Sequence, residues 1–100
     1  MMYAIEFSEG ALEDLMALRA FEQSRILDAI EEQLSNEPTI ETRNRKLLSG
    51  LIPPFEATPP VWELRVAQYR VFYDVSEEER KVFIRAVSHK PPHRRTEEIV

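Results

Sequence analysis

Residues 61–73, VWELRVAQYRVFY, decide the fold. They read as two strands joined by a two-residue turn at Ala67-Gln68, which sets Val66 opposite Tyr69 and Arg65 opposite Arg70. Side chains alternate across a strand, so Trp62, Leu64, Val66, Tyr69, Val71 and Tyr73 share one apolar side. The other side carries Glu63, Arg65, Arg70 and Phe72. Two arginines directly opposite repel each other. A stable sheet tolerates them on a wet face, beside acids or beside a bound anion. The hairpin therefore has a dry side and a cationic side, and function is sought on the cationic one.

Working outward, residues 3–7 alternate around apolar positions and read as a first strand. Ser8 is a candidate N-cap, with Glu9 and Glu13 favourable in the helix that follows. Ala11, Leu12, Leu15 and Leu18 recur at helical spacing. A second helix spans 21–35 with Ile26, Leu27, Ile30 and Leu34 inward, and Pro38 stops it. Residues 43–50, RNRKLLSG, read as a basic entry, an apolar pair and a glycine stop. The stretch 52–60 holds four of the seven prolines and reads as irregular. After the hairpin, residues 77–80 form a polar turn and 81–87 a last strand, with Val82, Ile84 and Ala86 on one face and Phe83, Arg85 and Val87 on the other. The order β-α-α-β-β-β predicts an α+β fold in one domain, residues 1–100. Two N-terminal helices cover one face of a mainly antiparallel four-stranded sheet and leave the other face partly open.

Composition narrows the chemistry. The 100 residues hold no cysteine and two histidines, so a thiolate or histidine-rich metal site is not expected. No cofactor, no secretory signal and no membrane span are expected, and a reducing cytoplasm is the expected compartment. The net charge of −5 argues against a generic nucleic-acid binder. It is unevenly spread: residues 1–42 carry ten acids and two bases, residues 43–100 eight acids and eleven bases. One acidic and one basic side follow.

On the open face stand Glu63, Arg65, Arg70 and Arg85, with His89 and Lys90 at the exit of the last strand. Converging guanidinium groups suit phosphate, because each planar fork donates two parallel hydrogen bonds. Metal-free RNA cleavage needs a base for the 2′-hydroxyl, cations for the phosphate oxygens and an acid for the leaving oxygen. Arg70 and Arg65 are candidates for the phosphate, His89 for acid or base, and Glu63 for base. Arg43, Arg45 and Lys46 form a candidate backbone-tracking patch, joined by Arg94 and Arg95 in the tail. Trp62 reads as a core anchor and Phe72 as the stacking candidate.

These residues resemble the RelE/ParE superfamily of bacterial toxins over nearly the whole chain. The resemblance runs through YAIEFSEGALEDL, ILDAIEEQLSNEP, KLLSG, WELRVAQYRVFYDV and the closing VSHK, and its specific part is the arginine before the turn with tyrosine-arginine after it. It implies a cognate antitoxin as partner, and a homodimer as the form expected without antitoxin. It implies one of two targets: messenger RNA cut on the ribosome, or DNA gyrase inhibited by protein contact. A non-toxic relative that only binds an antitoxin is the remaining alternative. Arg70 matches the family's phosphate-stabilising arginine. Lys90 falls at a basic catalytic position and His89 near a histidine of some relatives. Val61 and Glu63 stand where the RelE branch has two lysines, Ala67 replaces a turn glycine, and the tail HRRTEEIV lacks the expected tyrosine.

Overall fold

The computed structural model describes residues 2–50 and 52–90. Its elements are β1 (Ala4–Phe7), α1 (Glu9–Met16), α2 (Ala20–Leu34), β2 (Arg45–Leu48), β3 (Val61–Val66), β4 (Tyr69–Ser76) and β5 (Lys81–His89). The α+β class and the two covering helices stand, but the sheet has five strands, in the order β1-β5-β4-β3-β2. The extra strand is β2, which pairs antiparallel with β3 through Arg45↔Leu64 and Leu48↔Val61. Four residues opening on charge and followed by Ser-Gly resemble a loop in sequence. Only pairing with β3 makes them a strand.

The hairpin keeps the register that its two-residue turn requires, with Val66↔Tyr69 and Arg65↔Arg70. β4 pairs antiparallel with β5, and β1 lies parallel to β5 through Ala4↔Lys81 and Phe7↔Ile84. Ser8 caps α1 as expected, its side-chain oxygen accepting the Ala11 amide at 3.1 Å. Its own hydroxyl donates to the Arg85 carbonyl, which ties the cap to β5.

The apolar side of the sheet packs against the helices. Trp62, Leu64, Val66, Val71, Tyr73, Val82 and Ile84 meet Ala11, Leu15, Ile26, Ile30 and Leu34 in one cluster. Leu12 and Leu27 are corrections to the expected inner faces: both lie on the solvent side of their helices. Among the described residues no helix is long and apolar enough to cross a membrane.

One irregularity changes the reading of β5. Phe72 pairs with Ala86, but Tyr73 pairs with Ile84, so Arg85 is an extra residue in the ladder. An extra residue inverts the alternation beyond it. Ala86 therefore joins Phe72 on the face away from the helices, and Val87 turns into the helix-facing core, the reverse of simple alternation.

Candidate functional site

The face away from the helices gathers the charges that alternation assigns to it. Lys46 stands opposite Glu63, and Arg65 opposite Arg70. Lys46 and Arg65 are exposed, whereas Glu63 is 4% and Arg70 7% exposed. Arg70 does not reach outward as an open anion grip. Its Nη1 donates to the carbonyls of Ala67 at 2.9 Å and Tyr69 at 2.8 Å, folding the guanidinium back over the turn. Its Nε lies 3.9 Å from Glu63 Oε1 and makes no hydrogen bond. Burial, then the neighbouring Arg65 charge, lower its pKa, and Glu63 opposes both. A guanidinium still stays charged at any ordinary pH, so Glu63 serves as its counter-charge.

The rest of this face is covered. Phe55 packs on Phe72 with ring centroids 5.6 Å apart, and Phe72 is fully buried. Phe72 is therefore a core residue under the 52–60 segment and not a platform for a base. The same segment is fastened by Asp74, whose Oδ2 accepts the Thr58 amide at 3.0 Å. Asp74 also holds Arg85 through two hydrogen bonds, from Nε at 2.7 Å and Nη2 at 3.2 Å. Arg85 lies on the expected face, but its fork is already occupied by a carboxylate, and its guanidinium stacks over Phe83 at 5.0 Å. Asp74 was not singled out by sequence, since a lone acid in a strand carries no pattern.

The remaining candidates are scattered. His89 pairs with Tyr69 and stacks on its ring edge-on at 5.3 Å, so it sits on the helix side of the sheet, opposite to Arg70. The inverted alternation after Arg85 is the cause. Its Nε2 is 3.0 Å from Gln68 Oε1. Lys90 places its backbone amide on the Gln68 carbonyl at 2.6 Å, which brings the end of β5 to the hairpin turn. Arg43 is exposed in the loop before β2. Arg45 corrects the patch drawn from sequence: it is buried, faces the helices and donates from Nη1 to the Gln33 carbonyl near the end of α2. Arg94 and Arg95 lie outside the described residues.

What the face offers chemically is two exposed cations, Lys46 and Arg65, beside a neutralised Glu63–Arg70 pair. A general acid and a general base must both reach the reacting atoms, and the imidazole of His89 is across the sheet from Arg70.

The chain matches the family described as ParE toxin of type II toxin–antitoxin system, parDE, over residues 5–91. No curated protein sequence matches it. Among solved structures it is similar to an *Escherichia coli* RelE toxin variant with two arginines replaced by alanine, in the free state: 28% identity, TM-score 0.66, covering 90% of this chain and 84% of that one. It shares its fold with the *Mycobacterium tuberculosis* toxin–antitoxin complex RelBE2 at 24% identity and TM-score 0.70, covering 90% of this chain and 100% of that one. The archaeal RelE–RelB complex of *Pyrococcus horikoshii* matches at 22% identity and TM-score 0.68, covering 95% and 100%.

Proposed function

Because the chain belongs to the ParE toxin family of type II toxin–antitoxin systems, we propose that a cognate antitoxin holds it silent and that it arrests growth by binding DNA gyrase. The observation that carries this reading is the Glu63–Arg70 pair. The carboxylate best placed to act as a base is the counter-charge of the arginine it would assist. An anion at that arginine would compete with Glu63 for a guanidinium whose Nη1 is already given to backbone carbonyls. The exposed cations around it suit a protein surface with acidic patches as well as they suit RNA.

A second reading, ribosome-dependent cleavage of messenger RNA, is favoured by the likeness to *E. coli* RelE and by Lys46 and Arg65 lying on the face of Arg70. Under it Arg70, Arg65 and Lys90 would act on the phosphate, and Arg43 and Lys46 would follow the RNA backbone. The test pairs two assays on the purified protein. With gyrase and supercoiled DNA, trapped cleaved DNA is expected. With programmed ribosomes, intact messenger RNA is expected. A defined cut in the ribosome-bound message, with gyrase unaffected, replaces the first reading by the second. Inertness in both assays, and no growth arrest on induced expression, leaves only antitoxin binding.

A further inference from the structure

β2 and β3 are antiparallel neighbours, which a tight turn is enough to join. The chain instead spends residues 49–60 between them. The excursion reaches past β3: Phe55 and Ala57 pack on Val61, Phe72 and Ala86, a small cluster separate from the main core. It therefore covers half of the face that carries Arg70. None of residues 52–60 is itself buried, and none belongs to the core that the helices close. The cover is held along one narrow line, by the Phe55 ring on Phe72 and the Thr58 amide on Asp74. Arg85 fixes the Asp74 carboxylate through both oxygens. Open space lies on either flank. A cavity of 590 Å³ separates it from β2, lined by Leu47, Leu48, Ile52 and Pro60. Another of 300 Å³ separates it from the start of α1, lined by Ser8, Gly10, Phe55 and Arg85. Gly50, near its first end, has φ of 77° and stands clear of other atoms, so the backbone there is free to turn. Four prolines in the segment 52–60 stiffen it.

We propose that residues 52–60 form a strap that lifts off the sheet as a unit while the rest of the domain stays folded. Lifting it uncovers Val61, Phe72 and Ala86 as an apolar floor beside Lys46, Glu63, Arg65 and Arg70. Opening breaks only the contacts of the small cluster and leaves the main core intact, so it costs less than global unfolding. The closed form is the ground state because the bare floor exposes an aromatic ring to water. The face thus has two forms, one charged and one half apolar, whichever target the toxin has.

The chain holds no cysteine, so a single introduced thiol reports on its own site. Ala86→Cys places one under the strap. Ala11→Cys makes the same change in the main core, where Ala11 is fully buried. Labelling of the full chain by a maleimide is followed in buffer and in urea below the unfolding transition, and circular dichroism verifies that each variant is folded. Ala86→Cys is expected to label about 100-fold faster than Ala11→Cys, with a shallower dependence on urea because less surface opens. Adding Phe55→Ala is expected to speed labelling of Ala86→Cys about tenfold or more. The same addition should leave the rate of Ala11→Cys within about twofold. Equal rates and equal urea slopes at the two positions would overturn the proposal, since the strap would then leave only with the whole fold. Labelling of Ala86→Cys that Phe55→Ala does not change would overturn it as well, since the strap would then close nothing.

Discussion

Glu63 and Arg70 face each other diagonally across β3 and β4 with their charged atoms 3.9 Å apart, and both are buried. Removing one member of a buried pair leaves the other charge without compensation, at a cost of about 3–5 kcal/mol. Glu63→Gln is therefore expected to destabilise the protein by about 3 kcal/mol or more, read from urea unfolding midpoints. Replacing both residues by leucine and methionine should recover most of the loss. If Glu63→Gln is neutral, the pair is a surface contact and the argument for binding over cleavage weakens with it.

The turn that creates the hairpin is strained at one point. Ala67 has φ of 54°, the left-handed region that costs an L-residue roughly 1–2 kcal/mol and glycine nothing. Ala67→Gly should stabilise the fold by about 0.5–1 kcal/mol after the added flexibility of the unfolded chain is subtracted. The thermal midpoint should rise by a few degrees, about 4 °C or somewhat more for a domain of this size. A fall in the midpoint would show that the φ is relaxed in solution.

Tyr73 is fully buried, with its hydroxyl donating to the Pro38 carbonyl at 2.6 Å. Burial pushes its phenol pKa up, against a smaller lowering by Arg45. A phenol with a raised pKa contributes stability that is fully present below the unfolded value of about 10 and is lost as pH rises above it toward the folded value. Stability measured by urea at pH 8 and pH 11 should drop across that window in the parent. Tyr73→Phe should cost about 1–2 kcal/mol at pH 8 through the lost hydrogen bond. It should then fall less steeply at pH 11. Parallel losses in both proteins would assign the alkaline drop to other groups.

Asp74 joins two distant parts of the chain by accepting from Thr58 and from Arg85. Asp74→Ala should cost about 2–3 kcal/mol. Its local signature is faster hydrogen exchange at the Thr58 amide and loss of protection around Phe55, with the amides of α2 much less affected. Uniform acceleration across the molecule would mean that the 52–60 segment is held by something other than this carboxylate.

The hairpin was fully legible, because a period of two and a two-residue turn leave one register. The Ser8 cap and the inner faces of both helices, apart from Leu12 and Leu27, were legible for the same kind of reason: local spacing and capping chemistry suffice. Three features were not. β2 becomes a strand only through its neighbour β3. The 52–60 segment could be read as irregular from its prolines, but its fastening rests on Thr58 meeting Asp74 and Phe55 meeting Phe72, partners 16 and 17 positions apart. The extra residue at Arg85 left no mark in the apolar pattern, and it carried His89 to the other side of the sheet. The candidate site drawn from sequence was thus correct in which strands bear the charges. It was wrong in treating them as one exposed cluster.

The parallel seating of β1 beside β5 has a consequence for biosynthesis. Residues 4–7 find their place only against residues 81–84, so the first strand made must wait for the last strand described. Pairings between such distant segments form slowly, since a long loop must close before any contact repays it. A nascent chain that has not yet delivered β5 lacks the strand that joins β1 to the hairpin. Until residues 81–89 are available to pair, β1 and the outer edge of β4 both lack a neighbour.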